Sequence, residues 1–376
     1  MNTVEKVYKW REDVEARDQK ERPYLGASII GTDCSRALWM GFRWVLPTTQ
    51  QKFPGRILRL FDRGHREEPV FVEELEGIGC QVEGQQEEAI FLNGHGAAHC
   101  DAIIKGFPEY PKEWVLTDFK TMGEKSFKKF KKIVENSSNP DGDFFAEYPN
   151  YHGQLHVQMK LFGLSRAALF AVNKNTDELA ILFLESGEDY AAANWYIDRA
   201  ETLIGMGTPP PVERVATDFR CRFCDVADQC FKAACPAVNC RTCVFLQPKA
   251  EGVWRCKKHG DKQRAIWEQR EGCFDHVFIT DLLPWDYLDA TESAITYDTP
   301  SGDVVNGAGG LNSYQLLDHF HEIQQGEYVP NKADTGFLSV VVGDRKSQLL
   351  ALIADGNEEA KADYFKEFGD EEEPDA

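Results

Sequence analysis

Residues 98–121, AHCDAIIKGFPEYPKEWVLTDFKT, constrain this chain more than any other stretch. They read as two short apolar strands, 98–104 and 114–120, joined by a Gly/Pro turn region. Asp101 falls in the first strand, and Asp118 and Lys120 fall at the end of the second. Residues i and i+2 of a strand project to one face, so Asp118 and Lys120 lie side by side. A carboxylate beside an ammonium at the mouth of an apolar strand is not a packing choice, because such groups are seldom buried unless paired. Two carboxylates and a lysine suit a magnesium ion and a positioned water attacking a phosphate.

The flanking sequence supplies a layered core. Residues 1–23 read as a charged, partly helical leader. Ser28, or Thr32 with Asp33, is placed to cap a helix through 36–42. Residues 56–79 read as a helix interrupted or kinked at Pro69. Residues 89–92, 98–104 and 114–120 read as three consecutive strands, and 125–135 as a basic stretch interleaved with Phe127 and Phe130. A loop at 137–142 leads to a helix over 148–163, with Pro149 near its start and Gly163 at its end. Residues 166–173 and 178–184 read as a hairpin, and 187–206 as a helix. The order predicts an α/β core with a mixed central sheet flanked by helices.

Five domains are expected: the leader at 1–23, a core at 24–232, a cysteine-rich metal-binding appendage at 233–278, a region of unknown role at 279–356, and an acidic tail at 357–376. A helix at 312–325 and a strand at 337–342 are expected within the fourth. The tail holds nine acids against two lysines and reads as disordered.

The net charge of −20 argues against a protein that simply coats nucleic acid. The charge is uneven, however. Lys125, Lys128, Lys129, Lys131 and Lys132 fall within eight positions. That run fits a grip on a DNA backbone with phenylalanines packed beneath, and it also fits a solvated helix face. The N-terminus lacks an apolar signal core, which predicts a reducing cytosol.

Seven of eleven cysteines lie between Cys221 and Cys256, which in that compartment points to metal and not to disulfides. Cys240-x2-Cys243 followed by Cys256 is a zinc signature. Its fourth ligand is Cys273, with His259 as the alternative. Cys221-x2-Cys224-x5-Cys230 supplies three local thiolates, and the isolated Cys34 is the candidate fourth. Cys235 is left over, and Cys80 and Cys100 read as small buried residues. His152 and His156 stand four apart on one predicted helix, within reach of a phosphate or as ordinary surface or core histidines.

Asp101…Asp118-Phe119-Lys120, followed by a helix carrying Tyr151 and Gln154, resembles the PD-(D/E)XK nuclease superfamily. The resemblance is to its RecB-like and phage-exonuclease branch and covers roughly residues 24–230, including Gly26-Ala27-Ser28 and the Gly64-xxx-Glu68-Pro69 run. It implies that Asp101, Asp118 and the Phe119 carbonyl hold Mg²⁺ or Mn²⁺, with His65 or Glu68 completing the shell. It implies that Lys120 orients or deprotonates the attacking water, and that Gln154 and Tyr151 assist from the helix. Two departures stand out: residue 100 is cysteine where the motif has proline, and the second acid is Asp. The cysteine layout is similar to that of iron–sulfur nucleases of the CRISPR-adaptation and AddB type. That likeness implies a 4Fe-4S cluster on Cys34, Cys221, Cys224 and Cys230, although the same ligands suit zinc. The implied activity is a metal-dependent DNA exonuclease acting on duplex ends in phage-type recombination or DNA processing. Its partners would be DNA and a single-strand annealing or other recombination protein, in a host cytoplasm. A restriction-like endonuclease and a non-catalytic DNA-binding or recombination-partner protein are the alternatives.

Overall fold

The computed structural model describes residues 1–18, 22–47 and 53–330. Contacts divide the chain into two compact units, the first spanning Met1–Trp285 and the second opening at Asp286.

The first unit begins with α1 (Thr3–Asp18), then β1 (Leu25–Gly26), α2 (Ser35–Phe42) and α3 (Gly55–Gly77). Within the leader, Thr3–Asp18 form this one helix, tied to α3 by the Arg11–Asp62 ion pair and by the Glu12 carboxylate, which accepts from the Gly55 N–H at 2.8 Å. Cys34 occupies the N-cap of α2 and no side chain caps it, so neither Ser28 nor Thr32/Asp33 plays the expected part. Helix α3 is continuous through Pro69, where an interruption or a kink is expected, so the interruption does not occur. Its end stretch packs Phe71 and Leu75 against the sheet, and that burial outweighs the one lost backbone bond.

Next come β2 (Gln81–Glu83), β3 (Glu88–Phe91), β4 (Gly96–His99), β5 (Ala102–Phe107) and β6 (Tyr110–Met122). The strand expected over 98–104 is split at Cys100-Asp101, and its two parts enter different sheets. β4 lies between β1 and β3, whereas β5 joins a five-stranded sheet of order β2-β5-β6-β7-β8. Here β7 is Arg166–Asn173 and β8 is Leu179–Glu185. Asp101 is therefore in no strand but at the switch between sheets. β6 is parallel to β7, and the other pairs of the large sheet are antiparallel, so the mixed sheet is as expected.

Between β6 and β7 run α4 (Glu124–Asn136), α5 (Pro140–Glu147) and α6 (Pro149–Phe162). The expected loop at 137–142 gives way to α5, which Asn139 caps by accepting from the Gly142 N–H. Gly163 ends α6 in the left-handed conformation (φ 67°). Helix α7 (Ala191–Gly205) follows the hairpin. On one face of the sheet α3 packs Phe71 on Phe119. On the other, Phe127, Phe130, Leu155 and Met159 of α4 and α6 cover Leu116, Leu169 and Ala171. The phenylalanines of the lysine run thus point into the core and its lysines point outward.

The cysteine-rich stretch holds α8 (Ala227–Phe231), β9 (Leu246–Pro248), β10 (Trp254–Cys256), β11 (Lys262–Gln263) and α9 (Ile266–Glu271). β9–β11 form a small antiparallel sheet. Cys240, Leu246, Trp254 and Cys256 share one apolar cluster with Leu25, Phe42 and Tyr196. At its heart is the buried Arg241. It donates to the Pro23 and Phe42 carbonyls and to Gln269, and lies flat on Trp44 with Cζ 3.6 Å from the ring centre.

The second unit is an antiparallel meander of β12 (Asp286–Ala290), β13 (Ala294–Thr299) and β14 (Gly302–Gly307), followed by α10 (Ser313–Asp318) and α11 (Phe320–Gln325). The single helix expected at 312–325 is broken at His319, although Asn312 caps its start well, accepting from two N–H groups at 3.0 Å. The strand expected at 337–342 and the acidic tail lie outside the described residues. Among the described residues no helix is long and apolar enough to cross a membrane.

Candidate active site

The sheet switch brings Asp101 back against the neighbouring strand. Asp101 Oδ2 accepts from the Phe119 N–H at 2.8 Å. Asp118 and Lys120 project to the α6 side of β6, as the strand period requires. Asp118 is buried, at 1% exposure. Its Oδ1 accepts from Gln154 Nε2 at 2.8 Å, and its Oδ2 meets the Lys120 ammonium as an ion pair. Lys120 Nζ also lies 5.4 Å from the centre of the Tyr151 ring. Asp101, Asp118, Lys120, Gln154 and Tyr151 thus converge, drawn from β6, α6 and the β4–β5 junction.

The electrostatics are those of a crowded anionic site. Burial, then the Asp118 charge, pushes the Asp101 carboxyl up to about 7. Burial pulls the Lys120 ammonium down, but Asp118 and Asp101 together outweigh it and hold Lys120 above its ordinary range. Glu68 of α3 is raised by burial and feels both Lys120 and Asp118. α3 approaches closely here, because Gly64, one turn before Glu68, faces Thr121 of β6. Glu68 is half-buried, whereas His65 is exposed. His65 is the strongest charge acting on Glu68, so the two candidate ligands from this helix are neighbours. Phe119, whose carbonyl was a candidate ligand, has its ring fixed on Phe71 at 4.9 Å.

One positioning residue escaped the sequence reading. Gln158 is fully buried on α6 and donates to the His99 carbonyl at 2.6 Å, two residues before Asp101. Its signal was its place four residues after Gln154, on the same helix face.

The lysine run is partly neutralised. Lys128 pairs with Glu124, Lys129 with Glu147, and Lys131 with Glu178 and Glu135. Lys125 and Lys132 are exposed.

Cys34, Cys221, Cys224 and Cys230 line one recess together with Arg36 and Arg220. The segment carrying Cys34 is held by Arg199 of α7, which donates to the Thr32 carbonyl at 2.6 Å and to Ser35. Arg214 and Arg220 bind Asp33 across the same recess. Burial raises the thiols of Cys224 and Cys230, and the other cysteines of the recess add to it. The second set behaves alike. Burial pushes Cys243 up to about 12 and Cys273 up to about 11. Cys240 is raised by burial and then by Cys273, Cys243 and Cys256. Cys273 Sγ lies 3.8 Å from His259 Nε2, and an Asp275 oxygen lies 3.6 Å from the same nitrogen, so the two candidate fourth ligands are neighbours. Cys80 and Cys100 are buried, and the Cys100 thiol donates to the Gly84 carbonyl at 3.2 Å.

No family model and no curated protein matches the sequence. Among solved structures, SSO0001 is 14% identical, with 61% of this chain and 97% of that chain covered at a TM-score of 0.36. The alkaline exonuclease LHK-Exo of Laribacter hongkongensis is 12% identical, with 53% and 90% covered at a TM-score of 0.33. LHK-Exo in complex with dAMP gives 13% identity and a TM-score of 0.32 over the same shares.

Proposed function

We propose that this chain is a metal-dependent DNA nuclease of the PD-(D/E)XK type, acting on duplex ends. The observation that carries the reading is the convergence of Asp101, Asp118, Lys120 and Gln154 at one point of the sheet, with Glu68 facing it from α3. One buried and one partly buried carboxylate and a third acid stand against one ammonium, an excess of acidic groups in a largely desolvated setting. That donor set suits a hard divalent cation such as Mg²⁺ or Mn²⁺. The ion would be held by Asp101, Asp118, the Phe119 carbonyl and Glu68, with His65 the alternative. When bound it polarises a phosphoryl oxygen and makes a bound water acidic.

The chain's own groups do the rest. Gln154 fixes one Asp118 oxygen by its amide N–H, and the other faces the Lys120 ammonium. The Phe119 N–H fixes Asp101 in the same way. Lys120, held protonated by its neighbours, offers an ammonium to charge developing on the phosphate oxygens. Tyr151 covers Lys120 and limits its rotation. Lys125 and Lys132 would grip the DNA backbone. The two cysteine sets would hold a 4Fe-4S cluster and a zinc ion that lock the core, since hydrolysis needs no electron. Arginines lining the Cys34 recess suit an anionic cluster there.

The test is a nuclease assay on linear and closed-circular duplex DNA with Mg²⁺ and with Mn²⁺. Linear DNA should be degraded, and Lys120→Ala and Asp118→Asn should abolish this without unfolding. Intact linear, nicked and single-stranded DNA with both metals would refute the reading, and cutting of closed circles would replace the exonuclease by an endonuclease. Protein purified without oxygen should be brown and contain iron, and Cys224→Ser should remove both. Iron-free, zinc-only protein would sink the cluster assignment.

A further inference from the structure

Among the described residues, apart from the two cysteine sets and the acids of the candidate active site, one group of ligating side chains converges on a single point. His152 and His156 lie four apart on α6 and therefore on one face. Their Nε2 atoms stand 3.2 and 3.1 Å from the same oxygen, Asp141 Oδ1 of α5. The two imidazole rings are 4.2 Å apart between centres. Two ligands about 2.05 Å from one tetrahedral ion stand about 3.3 Å apart, so these separations are those of neighbouring corners of a zinc-sized coordination shell.

The surroundings fit ligands as well as the distances do. Both histidines are nine-tenths buried or more. His152 Nδ1 meets the Tyr196 hydroxyl of α7 at 3.0 Å, an outer partner of the kind that fixes the ring of a ligating histidine. His156 has no such partner at Nδ1, and its ring is held by its packing on His152. Asp141 is more than half exposed, so an ion has an entry and a fourth position open to water. Gln154 lies midway between the two histidines in sequence and points to Asp118 instead.

We propose that Asp141, His152 and His156 form a site for a borderline divalent cation of the zinc class, with water as its fourth ligand, that clamps α5 to α6. The clamp steadies the helix that presents Gln154 to the carboxylates. It is separate from the cysteine sets and from the acids of β6.

The test uses the full chain, treated with chelator and titrated with Co²⁺ and then with Zn²⁺. Cobalt on two imidazoles and a carboxylate gives ligand-field bands without thiolate-to-metal charge transfer, whereas cobalt at either cysteine set shows that charge transfer. In a background carrying Asp118→Asn, which removes the oxygen-ligand site, the protein should take up one equivalent of the thiolate-free kind, which zinc displaces. Asp141→Asn, an exposed and nearly isosteric change, should lose it. Tyr196→Phe, which keeps the ring in the core, should weaken it on the order of 10-fold or more. The proposal is overturned if all bound cobalt carries thiolate charge transfer. It is equally overturned if Asp141→Asn in that background takes up the thiolate-free equivalent with unchanged affinity. Because the readout is metal uptake and spectrum, absence of nuclease activity would leave this result standing.

Discussion

Asp101→Asn should stabilise the metal-free protein at alkaline pH, although it destroys the proposed site. Asparagine keeps an oxygen to accept from the Phe119 N–H, so the local fold has what it needs. What is lost is a partly buried charge beside Asp118. The wild-type carboxyl sits at about 7 in the folded chain, against roughly 4 for an unfolded aspartate. An acid that holds its proton more tightly when folded stabilises the fold only while protonated. That contribution is full below pH ~4 and is lost as pH rises through about 7, a difference of up to ~4 kcal/mol. The assay is thermal or urea unfolding of both proteins in EDTA at pH 5 and pH 8. The wild type should lose stability across that interval relative to Asp101→Asn, and the variant should be the more stable of the two at pH 8. Mg²⁺ should remove the wild-type deficit and leave the variant unchanged. A wild type and variant that keep a constant difference between pH 5 and pH 8 would refute the reasoning.

Three further outcomes follow from other contacts. A Cβ on Gly31 would lie 1.9 Å from the Pro149 carbonyl oxygen, whereas Gly41 in α2 faces open space. Gly31→Ala should cost more than ~2 kcal/mol by denaturation, and Gly41→Ala should gain about 0.5–1 kcal/mol. Arg241→Met removes three hydrogen bonds and a stacked cation from a buried site, and should lower stability by more than ~3 kcal/mol in the same measurement. Replacing Lys125 and Lys132 by glutamine should reduce the slope of log K for duplex DNA against log salt by about 1.8, whereas replacing Lys128, which pairs with Glu124, should change it little.

The site was legible where it rested on strand parity and helix period. Asp118 and Lys120 had to share a face, and Gln154 had to fall on a helix following β6. The hairpin of β7 and β8 was visible because its apolar runs flank the polar turn 174–177. What stayed hidden was non-local. Residues 98–104 carry an unbroken apolar pattern, and nothing in it shows that β4 and β5 enter different sheets at Cys100-Asp101. Whether Pro69 breaks α3 depends on how much of Phe71 and Leu75 the sheet buries, which only packing decides. Asp141 lay in a segment read as loop, so its meeting with His152 and His156 was invisible. The three strands β12–β14 were missed because Asp, Thr and Gly interrupt their alternation.

The Arg241 contacts also say when the molecule can be finished. Its hydrogen bond to Pro23 spans 218 residues, and that to the Phe42 carbonyl spans 199. Closing a loop of that length costs roughly 5 kcal/mol of chain entropy beyond a constant. Trp44, Trp254 and Phe42, buried round the guanidinium, repay that cost only once residues beyond 254 have been synthesised. Until then a nascent chain that already holds every acid of the β6 site must leave the apolar side of β1 and α2 uncovered. The sheet that carries the β6 acids is thus made early and sealed late, by the union of residues 23–44 with residues 241–254.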